Sequence, residues 1–470
     1  MSKVTFFALL GTLSLVSATG RGAPPPALVV EAEEEVYRYE PADNGAGPMW
    51  CSGSTCLVRI GERVFASGLE TLAGHQPLNN CRWRLFQREA GGWELQHADP
   101  AGRTREPCPI VGFAPDGPLL LSANPTLTAP DQRAGPARPE VLVFDAARTQ
   151  QPYQTLVPRW DGEPPFSEHS YRSFAADGPR REWLLLQNIG YTHAEWTFRD
   201  ASGQWSAQGK LVWPWGADYE KPQPIRLCYP NVMLRDRAVY FCGVSDIVEP
   251  KSAWRTSKKE LTGRDWDYDF RRLFFTWTED ITQGRFHDWI EIASREETGG
   301  WIAPCDLWAA ADGRVHLLWT ERAIDTRLRE KFFPDARQSQ ALNYAVVRDG
   351  QIIARRSLIL AEERGASLTA GAARFHLTPD LRLWVFCYVS GTDDGGRAVA
   401  ENHLFEVAAD GTAGEPVRVP LQRPFTSFFT ATVRGGSAPS EILDLLGVRA
   451  GAGNAIGYAR IRLAPAAAGR

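Results

Sequence analysis

The chain has 470 residues, 43% of them hydrophobic and 23% charged, with 52 Lys+Arg against 56 Asp+Glu and a formal net charge of −4. That composition excludes wholesale disorder, and the even charge balance argues against a nucleic-acid partner, which would call for a basic field. With 17 Trp and 22 Phe beside 42 Gly and 33 Pro, the chain reads as short apolar strands between many turns.

The N-terminus opens with Met1-Ser2-Lys3, an apolar run, and the small residues Val16-Ser17-Ala18. This pattern predicts a signal peptide over residues 1–18, cleaved after Ala18. The apolar run is shorter than the ~20 residues that cross a bilayer. The expectation is an exported protein, periplasmic or secreted, with no membrane span once the leader is gone. Export permits disulfides, and Cys51, Cys56, Cys81, Cys108, Cys228, Cys242, Cys305 and Cys387 are compatible with up to four bridges. No Cys-x-x-Cys pair occurs, which argues against a cysteine zinc site. Cys242 and Cys387 sit inside apolar strands and read as free buried thiols.

From residue 50 onward one unit recurs: a strand, a tight turn, then a strongly apolar strand. PCDLWAAADGRVHLLWTER (304–322) shows it best. The seven turns lie near Gly61, Asp116, Asp177, Asp236, Asp312, Asp380 and Gly435. Second hairpins follow most units, as in CRWRLFQREAGGWELQH and AEWTFRDASGQWS, with Gly-rich turns between alternating strands. Four strands per unit make a propeller blade. The last unit lacks its fourth strand, and ALVVEAEEEVYRY near the N-terminus can supply it, which hides two sheet edges. Residues 19–470 are therefore predicted to form one all-β domain, a seven-bladed β-propeller of four-stranded blades closed by the N-terminal strand. TRLREKFFPDARQ is the best local helix candidate, interrupted by Pro334.

In a propeller the innermost strands start, and the second strands end, on the same face. The starts offer Cys108, His169, Tyr171, Arg172, Tyr229, Asn231, Cys305 and Asp306. The ends offer Asn124, Asn188, Tyr191, His193, Glu195, Asp246, Glu321 and Arg322. The sector of blades three to five is richest. Two long loops, 248–270 and 323–340, follow second strands there and are expected to wall one side of the pore mouth.

Histidine, tyrosine and arginine on one face suit proton transfer beside an anionic sugar. Arginine neutralises a uronate carboxylate, histidine serves as base near neutral pH, and tyrosine exchanges a proton at the leaving oxygen. His169, His193 and Tyr229 with Arg172 or Arg322 could form such a set. A hydrolase would instead use two carboxylates, from Asp306, Glu321, Asp246 and Glu195, although Asp306 could equally pair with an arginine. Tyr171, Asn188, Tyr191 and Asn231 are expected to contact substrate. Trp213, Trp215, Trp254, Trp266 and Trp301 could stack on sugar faces, although most tryptophans should pack between blades. His316 and His376 read as structural. Asp265, Asp267 and Asp269 resemble a calcium ladder but lack the glycine and distal glutamate of an EF-hand loop. No metal or cofactor is expected.

The repeated Asp-Gly turn before an apolar strand, as in AADGRVHLLWTER and APDGPLLLS, resembles the BNR-repeat, sialidase-like propellers of exported bacterial proteins. The full S-x-D-x-G-x-x-W box of that family is absent. In layout the chain looks more like the propeller polysaccharide lyases acting on ulvan and the related rhamnosyl-glucuronate-cleaving propellers. Those use histidine from one blade and tyrosine from the next, with arginine neutralising the uronate. His169, His193 and Tyr229 follow that order here. The resemblance implies an exported monomer that cleaves an acidic polysaccharide by β-elimination or hydrolysis. The other expectation, from the fold alone, is a propeller that binds glycan or protein without catalysis.

Overall fold

Asp-Gly and related turns reverse the chain at short intervals, and each apolar strand between them is buried on both sides. The second strand of blade 3, Glu182–Ile189, shows why the strands read as continuous apolar runs. Trp183 and Leu185 point into one interblade seam, while Leu184 and Leu186 point into the next.

A computed structural model describes residues 26–464 apart from Ala101, residues 365–367, Asp394 and Ala409. The expected signal peptide lies outside the described residues. Seven four-stranded antiparallel sheets form a β-propeller. Their inner strands are Leu57–Ile60, Ile110–Gly112, Ser173–Asp177, Leu227–Arg235, Gly299–Ala309, Thr369–Leu377 and Phe425–Thr430. Inner strands of successive blades touch around the whole circle, blade 7 to blade 1 included. The N-terminal strand Ala27–Arg38 closes blade 7, pairing antiparallel with Ala455–Ala464 from Ala27↔Ala464 to Arg38↔Ala455. Each seam between neighbouring blades holds its own apolar cluster, with Trp196 and Phe241 between blades 3 and 4 and Trp319 between blades 4 and 5. His316 and His376 are buried, and burial pushes both imidazoles down to about 4. All eight cysteines are free and buried, so the permitted bridges are not formed.

The two long loops fold onto each other. The first contains helix α1, Ser252–Thr262, and the second helix α2, Thr326–Phe332. Trp254 packs against Phe333 at 5.3 Å. Lys258, buried on α1, lies 2.7 Å from Glu249, 3.2 Å from Asp267 and 3.5 Å from Asp325. The three aspartates of the apparent ladder are thus answered by cations: Asp265 by Lys259, Asp267 by Lys258 and Arg327, and Asp269 by Arg271. Among the described residues no cluster of His, Cys, Asp and Glu could hold a metal ion.

Two segments that the repeat does not announce cross the centre of the ring. Residues 50–54, between the closing strand and blade 1, enter from the face where the inner strands start. Gly53 must be glycine, because a Cβ there would lie 2.2 Å from the Pro230 carbonyl oxygen. Ser54 Oγ donates to the Arg172 carbonyl at 3.2 Å. From the opposite face comes the loop 432–437 of blade 7, where Ala176 N donates to the Arg434 carbonyl at 2.9 Å and Gly112 N to the Gly435 carbonyl at 2.8 Å. The Arg434 side chain ties both segments to the blades. Its Nε and Nη2 donate to Asp306 Oδ1 at 2.9 and 2.6 Å, Nη1 to the Gly53 carbonyl at 2.9 Å, and Nη2 to Asn231 Oδ1 at 3.1 Å. Asp306 Oδ2 accepts from Phe375 N at 2.9 Å.

Truncating one partner of a buried ion pair strands the other. Arg434→Ala is therefore expected to lower the free energy of unfolding by about 3–5 kcal/mol. Exposed Arg322→Ala should change it by less than about 0.5 kcal/mol. Urea denaturation of the two variants beside the parent checks both.

Candidate functional site

On the face where the inner strands start, blades 2, 3 and 4 and the central segment assemble an aromatic floor. Trp50 is its centre. Its ring lies 4.6 Å from Tyr171, 5.3 Å from His169 and 5.9 Å from Tyr229, centroid to centroid. Tyr171 and Tyr229 meet edge to face at 5.4 Å. Trp50, His169 and Tyr229 are half-buried and Tyr171 is buried.

The backbone is bent to make this floor. Tyr171 and Tyr229 have φ of 42° and 49°, and Cys51 has φ of 52°. Bulky side chains in the left-handed region cost on the order of 1–3 kcal/mol each and persist only where the surroundings over-determine them. At Tyr229 the strand also bulges, with pairing interrupted between Cys228 and Asn231.

Below the floor lie charged groups with fixed partners. Glu106 is fully buried; its Oε1 sits 3.2 Å from His169 Nδ1 and accepts from Ser170 N at 2.6 Å. Ser170 Oγ donates to Glu106 Oε2 at 2.6 Å. Burial alone would raise this carboxyl, but His169, Arg172 and Ser170 overcome it and hold it down at about 2. Glu106 is therefore a carboxylate that lies against the His169 ring. Arg226 pairs with Asp246 at 2.6 Å and stacks on Tyr191 at 3.9 Å. Tyr191 in turn meets Tyr268 hydroxyl to hydroxyl at 3.1 Å. Burial pushes the phenols of Tyr171 and Tyr229 well up, and that of Tyr268 to about 12. Burial also raises the Asp246 carboxyl, against the pull of Arg226.

Of the residues expected from the sequence, His169, Tyr171, Tyr191, Tyr229 and Asp246 come together here. The rest go elsewhere for physical reasons. Arg172 is 1% exposed and lies beneath the floor, donating to the Pro107 carbonyl at 2.8 Å. His193 and Glu195 stand on the third strand of blade 3, His193–Arg199, and bond each other at 3.0 Å. Asn188 clasps blade 4 through the Leu227 carbonyl at 2.9 Å. Asn231 and Asp306 are buried in the central crossing, where Arg434 donates to Asn231 Oδ1 and Asp306 Oδ1 and Phe375 N donates to Asp306 Oδ2, so Asp306 is a structural anchor. Glu321, bonded by Arg295, and exposed Arg322 line a separate groove on blade 5. Trp213 and Trp254 are packing residues.

Sequence reasoning missed Trp50, Glu106, Arg226, Arg105 and Tyr268. Glu106 and Arg226 lie within two or three residues of the positions read as unit starts, so a wider window would have caught both. Arg105 sits 5.8 Å from the Trp50 ring and donates through Nε to the Asn44 carbonyl at 3.0 Å. It has no carboxylate partner among the described residues. A larger cavity of about 590 Å³ opens on the opposite face, among the turns, lined in part by Met233, Trp308, Leu377 and Val433.

No protein-family model and no curated protein matches the chain. Solved structures do. An α-L-arabinofuranosidase of Fusarium graminearum, in complex with an iminosugar inhibitor, is 11% identical over 92% of this chain and 98% of its own, with a TM-score of 0.44. An α-L-arabinanase of Penicillium chrysogenum, complexed with arabinobiose, is 12% identical over 93% and 99%, with a TM-score of 0.42. A protein of unknown function from Dyadobacter fermentans is 11% identical over 93% and 100%, with a TM-score of 0.45. At this level of identity they assign no activity to the chain.

Glu106 has a folded-state pKa depressed from 4.5 to about 2, so its contribution is present above pH 4.5 and lost as pH falls toward 2. Glu106→Gln is expected to destabilise by roughly 1–3 kcal/mol at pH 7, with the deficit shrinking below pH 4.5. Unfolding curves of parent and variant across that range check this.

Proposed function

We propose that the aromatic floor is the active site of a carbohydrate-active enzyme that cleaves a uronate-containing glycan by β-elimination. The observation that carries this reading is the pairing of His169, whose Nδ1 lies 3.2 Å from an ionised Glu106, with Tyr229 on one half-buried floor around Trp50.

Trp50 offers a sugar a flat apolar face. Arg105 beside it has the free end of its guanidinium available for the uronate carboxylate, the role expected earlier of Arg172 or Arg322. His169 accepts the C5 proton, and neutralisation of the carboxylate stabilises the charge that develops there. Tyr229, its phenol raised by burial and therefore protonated at neutral pH, donates to the departing glycosidic oxygen. Tyr171 and Trp50 pack the two groups at fixed separation.

Elimination is favoured over hydrolysis by the state of the carboxylates. A hydrolase needs two, facing the substrate from either side. Glu106 and Asp246 are both buried and engaged by His169 and Arg226, Asp306 is held by Arg434, and Glu195 is buried beside His193.

The test is incubation of the full chain with a panel of uronate-containing polysaccharides. An unsaturated, ultraviolet-absorbing product is expected from the parent, with turnover reduced at least ~100-fold in His169→Ala. Reducing ends without that absorbance would replace elimination by hydrolysis. Glycan binding with no turnover by the parent would make the propeller a binding module.

A further inference from the structure

On the same face, across the central segment from the aromatic floor, a groove of about 430 Å³ opens between blade 5 and blades 6 and 7. Ser52 forms its inner edge. Only Cys51 separates Ser52 from Trp50, so their Cα atoms lie at most about 7 Å apart. The groove therefore begins where the floor ends.

Its outer wall is a pair. Trp301 and Arg322 stand directly opposite each other on the inner and second strands of blade 5, which sets their side chains next to one another. Trp301 is 42% exposed, an unusual state for so large an apolar ring. Arg322 is also exposed, and no described residue forms an ion pair or side-chain hydrogen bond with it. Gln340, beside Arg322 in register on the third strand, adds an amide that can serve sugar hydroxyls.

The groove is electropositive. Its two nearby carboxylates are already answered, Glu321 by Arg295 and Asp306 by Arg434. Arg374, 6% exposed, forms part of the lining. Its donors go to the carbonyls of Ser52 and Cys305, so its charge has no carboxylate in direct contact. Burial lowers its guanidinium from the usual range, and the charge of Asp306 only partly offsets this. Two guanidiniums, one buried and one exposed, thus line the groove with no carboxylate in direct contact, beside an exposed indole.

We infer that this groove is a second sugar subsite that takes an anionic unit, its ring against Trp301 and its carboxylate or sulfate on Arg322. With the floor adjacent, the ligand is an extended anionic oligosaccharide crossing residues 50–52. The inference shares its ligand class with the function proposed above but does not depend on turnover.

The experiment is calorimetric titration of the full chain with uronate oligosaccharides of increasing length, with sulfated oligosaccharides, and with neutral ones. Anionic oligosaccharides should bind in preference to neutral ones. Arg322→Ala should weaken them about tenfold or more, Trp301→Ala should weaken them comparably, and Arg322→Lys should recover part of the loss. The melting temperature of each variant should match the parent. Preference for uronate names the anion as carboxylate, and preference for sulfated chains names it as sulfate. Equal affinity of parent, Arg322→Ala and Trp301→Ala, or no preference over neutral chains, overturns the subsite. Binding that survives without any turnover removes the proposed elimination and leaves the subsite standing. Turnover by the parent with an unchanged KM in Arg322→Ala removes the subsite alone.

Discussion

The ring depends on how its centre is filled. Seven sheets arranged in a circle leave an axial gap, and apolar packing between blades does nothing to close it. Here the gap is crossed by residues 50–54 from one face and 432–437 from the other, and the Arg434 guanidinium holds both. It reaches Asp306 on blade 5, Asn231 on blade 4 and the Gly53 carbonyl, while Asp306 takes the Phe375 amide of blade 6. One buried cation thereby registers strands that are far apart in the chain. Such a pair adds little net stability compared with apolar residues of the same shape. It becomes costly only when half of it is removed, which is how a buried ion pair enforces geometry.

The crossing also decides where the aromatic floor forms. Because Gly53 passes against the Pro230 carbonyl, the segment is fixed in height, and Trp50 is delivered to the level of His169 and Tyr229. The left-handed backbones of Cys51, Tyr171 and Tyr229 converge at the same place. Three strained residues in one contact set imply that the surrounding packing, seams and crossing together, supplies the restraint. The floor is a consequence of the plug rather than an ornament on the blades.

This division explains what could be read from the sequence. Blades are periodic. The turns near Asp116, Asp177, Asp236 and Asp312 and the apolar strands after them repeat because every seam needs the same thing, and so the seven blades and the closing N-terminal strand were legible. The crossing is not periodic, so nothing in the repeat announces residues 50–54 or the reach of Arg434. Helix α1 was hidden for a related reason. Its inward face carries Ser257 and Lys258 beside Trp254, and ion pairs rather than an apolar stripe hold it down. At the floor, three residues read as unit starts, His169, Tyr171 and Tyr229, stand together around Trp50. The left-handed turn at Tyr171 breaks the alternation of the strand, and no spacing rule then says that Arg172 is the residue carried beneath the floor.

The inner strands of blades 4 to 7 bulge at the same end. Pairing is interrupted between Cys228 and Asn231, Pro304 and Asp306, Ala370 and Ala373, and Phe425 and Ser427. A bulge inserts a residue, bends its strand and re-aims a side chain. Tyr229 of the floor is such a residue, and so are Cys305, Gly371, Ala372 and Thr426 along the groove. Between the inner and second strands of these blades the register therefore slips where the strands reach the face, and it is kept farther along, where a slip would turn apolar side chains out of the interblade seams. A face built from bulges can change its side chains without disturbing the seams below. That separates the part of each unit that must repeat from the part that gives this face its floor and its groove.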